Sequence, residues 1–274
     1  MSALQHSELG KQSEYASDYN PDKLFPISRK EKRREIGVSD VLPFFGFDVW
    51  NHYEVSWLNK KGKPIVALAE IRYPCESPNI VESKSLKLYF NSFNNTKFGS
   101  ANEVAVNVRR DLEERVGAPV VVNITPFPFA QLATVTPHFD GICIDALDVE
   151  CHAYQVDPSF LSTTEKVVSE TLYSDLLKSN CLVTNQPDWG SVQIVYKGKK
   201  IQHEGLLQYL VSFRNHNEFH EQCIERIFVD IMRLCSPEEL TVYGRYTRRG
   251  GLDINPYRST QPVDQIKNLR LCRQ

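Results

Sequence analysis

Cys181 and Asp188 are the residues best placed for covalent chemistry, in the stretch Lys178-Ser179-Asn180-Cys181-Leu182-Val183-Thr184-Asn185-Gln186-Pro187-Asp188-Trp189-Gly190-Ser191. A thiol becomes a strong nucleophile once ionised, and a neighbouring carboxyl group can pass a proton to whatever the thiol attacks. The plainer reading makes Cys181 a small buried hydrophobe and Asp188 a turn former. Residues 166–178 read as a strand, and Ser191–Lys197 puts Val192, Ile194 and Tyr196 on one face, a second strand pattern. The cysteine and the acid are therefore expected on a connection between two strands, where a rigid sheet presents them to a ligand.

Composition narrows the classes. Across 274 residues the chain is 41% hydrophobic and 24% charged with net charge −2. A nucleic-acid binder would carry a basic excess, so no nucleic-acid partner is expected. No apolar run approaches a membrane span, and Met1–Gln12 lacks the apolar core of a signal peptide. The 7 cysteines are scattered without a C-x-x-C pair. Free thiols in a reducing cytoplasm are expected, with no metal site.

Residues 1–35 form a polar arm ending in Arg29-Lys30-Glu31-Lys32-Arg33-Arg34-Glu35, read as a mixed-charge, solvated leader. Tyr53–Leu58 and Ile65–Ile71 are strand-like runs joined by a hairpin signal at Asn59–Lys63. From Glu82 the period turns helical, with Leu86, Tyr89, Phe90 and Phe93 on one face. A second helix follows the N-cap candidate Ser100, with Val104, Val108, Leu112 and Val116 in register. Val120–Ile124 and Ile142–Val149 read as strands.

The second half repeats the order: strands at 166–177 and 191–197, a turn signal at Lys197-Gly198-Lys199, helices at Leu206–Phe213 and Phe219–Cys235, and strands at Leu240–Thr247 and Leu252–Ile254. Ser92-Phe93 with Phe98 is echoed by Ser212-Phe213 with Phe219, about 120 residues on. The pattern implies an α+β tandem duplication, each module a four-stranded antiparallel sheet with two helices in β-β-α-α-β-β order. The expected division is an arm over 1–35, a first module over 36–153, a linker over 154–163 around Asp157-Pro158, and a second module over 164–274. The Cys181–Asp188 loop is only in the second module; the first carries Glu82-Ser83-Lys84.

Four blocks carry a family resemblance: Glu82-Ser83-Lys84-Ser85-Leu86-Lys87-Leu88-Tyr89, Ser179-Asn180-Cys181 through Asp188-Trp189, Phe219-His220-Glu221, and Tyr246-Thr247-Arg248-Arg249-Gly250-Gly251-Leu252-Asp253-Ile254-Asn255-Pro256. From about Leu42 onward the chain resembles the two-module branch of the NADPH-dependent 7-cyano-7-deazaguanine reductases (the QueF family), the nitrile reductases of queuosine biosynthesis in tRNA modification. The resemblance implies tandem tunnelling-fold (T-fold) modules in a homodimer. The zinc ligands of the related GTP cyclohydrolases are not evident.

The same resemblance implies that Cys181 attacks the nitrile carbon to form a covalent thioimide. A neutral carboxylic acid can protonate the nitrogen as charge builds there, and burial would raise the pKa of Asp188 for that task. Nitrile to amine needs two hydrides, hence two NADPH. Glu221 and Glu82 are the implied readers of the base, since a carboxylate accepts a ring N–H and an exocyclic amine together. The alternatives are a helix-start acid for Glu82 and a solvated helix face for Glu221. His220 orients the base, relays protons or is structural, and Val81 and Ser83 lend contacts near the helix start.

No G-x-G-x-x-G follows a strand, so a Rossmann site is not indicated. The family places NADPH near Ser83-Lys84 and Arg249-Gly250, where cations suit phosphate and glycine admits a close approach. A basic hairpin turn is the alternative for Arg248–Gly251, and a core aromatic the alternative to a nicotinamide cover for Phe219. Two other functions fit the loop alone: a cysteine-dependent nitrile or amide hydrolase, and a non-catalytic purine- or pterin-binding module.

Overall fold

The computed structural model describes residues 15–128 and 135–274. The chain forms two compact units: the described residues of Met1–Glu31, Asp48–Leu132 and Arg248–Asp253, and those of Lys32–Phe47, Ala133–Thr247 and Ile254–Gln274. The chain opens with β1 (Pro26–Ser28) and α1 (Lys30–Glu35), and β2 (Phe45–Leu58) follows.

In the first unit, β3 (Pro64–Pro74) follows β2 through the Asn59–Lys63 turn, and the sheet order is β5-β3-β2. β4 (Asn79–Val81) pairs antiparallel with β1. Next come α2 (Ser83–Asn91), α3 (Ala101–Val116) and β5 (Val121–Pro126), the last antiparallel to β3. The expected helix faces are the buried ones: Leu86, Tyr89, Phe90 and Phe93, with Val104, Val108, Leu112 and Val116. Ser100 caps α3 by accepting from Glu103 N, and Gly117 closes it in the left-handed region at φ 72.

The second unit begins with two short strands, β6 (Val135–Thr136) and β7 (Ile142–Cys143). The antiparallel pair β8 (Thr163–Asn180) and β9 (Pro187–Ile201), the helices α4 (His203–Ser212) and α5 (His220–Cys235), and the strands β10 (Glu239–Tyr246) and β11 (Leu252–Ser259) follow. β12 (Arg270–Leu271) pairs parallel with β6. The sheet order is β11-β10-β9-β8-β7. Leu206, Leu207 and Leu210 of α4 and Ile224, Ile227, Phe228 and Ile231 of α5 are buried, as are Val192, Ile194, Leu240 and Val242 of the sheet. The α+β class and the tandem T-fold plan are those expected from the sequence.

Hydrogen bonds show the duplication more sharply than the sequence echo. In the first unit Tyr89 Oη donates to Asp111 at 2.7 Å, Ser92 Oγ donates to Tyr89 O at 2.6 Å, and Asn20 N donates to Ser92 Oγ at 3.0 Å. In the second, Tyr209 Oη donates to Asp230 at 2.8 Å, Ser212 Oγ to Tyr209 O at 2.6 Å, and Asp157 N to Ser212 Oγ at 3.1 Å. Asn20 and Asp157 each cap a 3₁₀ turn that begins with proline, Pro21–Lys23 and Pro158–Phe160. The 154–163 stretch therefore does more than link: it is the second unit's copy of the lead-in around Asn20–Leu24, and Leu24 and Leu161 are both buried.

Some local expectations change. Lys197-Gly198-Lys199 is not a turn, because β9 continues to Ile201 with Gly198 opposite Val168. A glycine is required there by a neighbour: a Cβ would lie 2.9 Å from Pro237 Cα. The strand expected over Ile142–Val149 shrinks to Ile142–Cys143, parallel to β8, because the chain turns where Leu147 N donates to Ile144 O. β11 passes through Asn255-Pro256 to Ser259. The arm is not simply solvated. Arg29 is buried against Asp48 and Ser77 in the first unit, and Arg33 against Glu225 at 2.7 Å in the second. Among the described residues no helix is long and apolar enough to cross a membrane.

Candidate functional site

The second unit holds Cys181, Asp188, His220 and Glu221. Cys181 closes the end of β8: its N donates to Gln186 O at 2.9 Å, and Asn185 N donates back to Cys181 O at 3.2 Å. Asn185 takes φ 55, a left-handed conformation that asparagine tolerates in a tight connection. Asp188 sits on β9 directly across from Ser179, one alternation from Cys181, so the strand pleat puts thiol and carboxyl on one face. Both are buried, at 4% and 5% exposure.

Helix α5 brings the histidine. His220 is its first residue, with Nε2 3.6 Å from Asp188 Oδ1 and its ring edge-on to Tyr246 at 4.2 Å between centroids. A proton can pass between imidazole and carboxyl at this separation with a small movement. Glu221 is only 2% exposed, so the solvated-face alternative fails. A carboxylate withdrawn from water at a helix start is costly unless something uses it. Phe219, the N-cap, is buried as the core-aromatic alternative required, and its N–H donates to Gln222 Oε1 at 3.2 Å.

The two thiols of α5, Cys223 and Cys235, are poor nucleophiles. Burial pushes Cys223 well above the ordinary thiol range and Cys235 to about 11. In this unit a cavity of about 340 Å³ is lined by Glu35, His216, Arg226, Asp230 and Arg233 among others, not by Cys181 or Asp188.

The first unit holds Val81, Glu82, Ser83, Lys84, Arg249 and Gly250. Val81 ends β4 and Glu82 is the N-cap of α2, its two carboxylate oxygens accepting from Lys84 N and Ser85 N at 2.7 Å each. Burial raises the pKa of Glu82, against those amides and the charges of Lys87 and Lys84. The helix-start reading of Glu82 is thus realised. It leaves acceptor capacity, since a carboxylate offers about four lone-pair sites. Ser83 and Lys84 are half-buried on the first turn.

Arg248–Gly251 is a hairpin tip: Arg249 N donates to Leu252 O at 3.0 Å, with Gly250 at φ 60 and Gly251 at φ 71. Two positive φ values define the turn that suits strand twist, and glycine adopts them without strain. Gly251 O accepts from Tyr53 N at 2.8 Å and lies 3.0 Å from His52 Nδ1. Burial lowers the pKa of that histidine. The Arg248 guanidinium lies 4.4 Å over the Tyr53 ring, whose hydroxyl donates to Asp253 at 2.8 Å.

A Cβ on Gly250 would stand 3.2 Å from Lys87 Cδ, so the hairpin tip and α2 are close neighbours. Lys87 of α2 thereby lies beside the hairpin tip that carries Arg248 and Arg249. The sequence signal for Lys87 was its position one turn after Ser83-Lys84. Cations and a side-chain-free backbone at Gly250-Gly251 are the groups a phosphate-bearing cofactor needs. Among the described residues no group of three His, Cys, Asp or Glu could hold a metal ion.

Comparisons with known proteins find relatives over both halves of the chain. A family profile described as "Nitrile reductase, 7-cyano-7-deazaguanine-reductase N-term" matches residues 15–124, and one described as "QueF-like protein" matches residues 187–264. An NADPH-dependent 7-cyano-7-deazaguanine reductase of Legionella pneumophila (strain Lens) is 64% identical over 98% of this chain and 95% of its own. That of Acidovorax ebreus (strain TPSY) is 58% identical over 100% of both chains, and that of Burkholderia mallei (strain SAVP1) 55% identical over 98% and 99%. By that identity over full length, the chain belongs to the family of NADPH-dependent 7-cyano-7-deazaguanine reductases.

Proposed function

We propose that this chain reduces the nitrile of 7-cyano-7-deazaguanine to the aminomethyl group of 7-aminomethyl-7-deazaguanine, with Cys181 as nucleophile. The observation that carries the proposal is the buried Cys181 at the end of the β8–β9 pair, on the face that carries Asp188, itself 3.6 Å from His220. The Cys181 sulfur bonds to the nitrile carbon, and Asp188 delivers a proton to the nitrile nitrogen, giving a thioimide. His220 can return a proton to Asp188 between stages. NADPH, when bound, supplies one hydride to the thioimide carbon and, in a second stage, one to the imine carbon. Between the stages the C–S bond breaks and Cys181 leaves as thiolate, giving the imine; after the second hydride a second proton on nitrogen, again from Asp188, completes the amine.

Glu221, buried at the start of α5, accepts the donor pair of the base, with Glu82, Val81 and Ser83 as further contacts. Ser83, Lys84, Arg249 and Gly250 hold the cofactor phosphates. A queuosine role, a cytoplasmic location, a homodimer and no nucleic-acid partner complete the reading, on the strength of family membership. Intact mass of the protein after incubation with 7-cyano-7-deazaguanine and no NADPH tests it. A one-to-one adduct mapped to Cys181 is expected; no adduct, or one on another cysteine, would overturn the nucleophile.

A further inference from the structure

The duplication provides an internal comparison. In the first unit the end of β2 is clamped by the segment before α3: Leu58 N donates to Thr96 O at 2.9 Å, and Phe98 N to Leu58 O at 2.9 Å. In the second unit the end of β8 is clamped in the same way: Asn180 N donates to His216 O at 2.8 Å, and Glu218 N to Asn180 O at 3.0 Å. Leu58 thus corresponds to Asn180 and Phe98 to Glu218, one residue earlier than the Phe98–Phe219 echo suggests. The first clamp is finished with an apolar side chain: Phe98 stacks on Phe93 at 5.2 Å.

The second clamp is finished with charge. Glu218 is 1% exposed, receives Arg226 Nε at 3.0 Å and Nη2 at 2.8 Å, and lies 2.9 Å from His216 Nε2. A buried ion pair is a poor stabiliser compared with an apolar packing of similar volume, and the first unit shows the apolar solution is open to this fold. What the charged version adds is geometry. Arg226 belongs to α5, the helix that carries His220 and Glu221; Glu218 belongs to the segment bonded to Asn180, next to Cys181. Between them, Asn217 Nδ2 donates to Asn185 Oδ1 across the loop and approaches Cys181 O at 3.5 Å.

We propose that His216, Glu218 and Arg226 are positioning residues that fix the Cys181 end of β8 relative to the start of α5, and so the thiol relative to His220 and Asp188. This rests on the reading of Cys181 as nucleophile, and the test separates the two. The variants are His216→Ala, His216→Gln, whose amide can donate to Glu218, and the double variant Glu218→Gln with Arg226→Gln. The double variant removes both members of the Arg226–Glu218 ion pair, so neither of the two charges is left buried without the other.

Two rates are measured by peptide mass: alkylation of Cys181 by iodoacetamide, with exposed Cys143 as the control, and covalent capture of 7-cyano-7-deazaguanine. In His216→Ala and the double variant, Cys181 should alkylate about tenfold faster as its burial loosens, and nitrile capture should slow by about tenfold or more. Affinity for the base, the Cys143 rate and the values for His216→Gln should stay near wild type. Unchanged Cys181 alkylation and capture in both variants would overturn the clamp. Altered alkylation with no nitrile capture even in the wild type would keep the clamp and remove the nitrile reading.

Discussion

At the scale of single residues, burial sorts the cysteines. Cys181, Cys223 and Cys235 are all buried; Cys223 and Cys235 lie on the apolar side of α5, where burial lifts the thiol out of the reactive range, and Cys181 closes the end of β8 on the face that carries Asp188. Cys181→Ala should abolish turnover and leave base binding within about twofold, while Cys235→Ala should cost only stability, about 1–3 kcal/mol; isothermal titration and steady-state kinetics read the two. Asp188→Asn keeps size but has no carboxylic proton, so turnover should fall about a hundredfold or more, and near-normal turnover across the working pH range would assign the proton elsewhere.

Glu218 gives a pH prediction. Burial opposes its charge, yet His216 and Arg226 outweigh that and hold its carboxyl below the ordinary range. A lowered native pKa means the stabilisation is full above the unfolded value of about 4.3 and is lost as pH falls through the native value. The penalty of Glu218→Gln, measured by urea unfolding, should therefore be larger at pH 7 than at pH 4; a penalty that grows on acidification would show that the charge does not stabilise the fold.

At the scale of elements, the close approach at Gly205 decides a sign. Alanine in a helix interior ordinarily gains about 1 kcal/mol over glycine. In α4 a Cβ at Gly205 would meet Phe160 O, a backbone atom, at 2.2 Å, and such overpacking costs about 1–3 kcal/mol. Gly205→Ala should therefore lower the unfolding midpoint, and a raised midpoint would mean that the 154–163 stretch is not docked on α4. Sequence periodicity was sufficient for the helices, because Leu86, Tyr89, Phe90 and Phe93 or Cys223, Ile227 and Ile231 repeat with the helical turn. The place of Cys181 at the turn between two strands was legible for a similar reason, because strand alternation on either side is a local signal; Asp188, expected on the connection, lies on β9, which starts at Pro187.

Non-local features were not legible. Gly198 looks like a turn glycine but lies within β9, and glycine is needed there because Pro237 approaches from another segment. Asp157-Pro158 looks like a linker and is a capped turn whose partner, Ser212, lies on α4. Glu221 looks like a solvated helix residue, since nothing in its neighbours states that the first turn of α5 is buried. The His216–Glu218–Arg226 cluster depends on a strand end, a connecting segment and a helix meeting, which no local pattern records.

At the scale of the whole molecule, the two units carry different residues on one plan: the buried Cys181, Asp188 and His220 in the second, and lysines of α2 near a glycine turn in the first. NADPH differs from NADH by a ribose 2′-phosphate, and a charge-assisted bond to phosphate is worth about 1.5–3 kcal/mol. Lys84→Ala and Arg249→Ala should each raise the KM for NADPH about ten- to a hundredfold and leave that for NADH nearly unchanged. Equal losses with both cofactors would place these residues on the shared pyrophosphate or in the fold instead. The most direct measurement of the central claim is the ratio of NADPH oxidised to amine formed when the purified protein meets 7-cyano-7-deazaguanine. The expected result is two NADPH for each 7-aminomethyl-7-deazaguanine. An amide or carboxylic acid product with no NADPH consumed would contradict it.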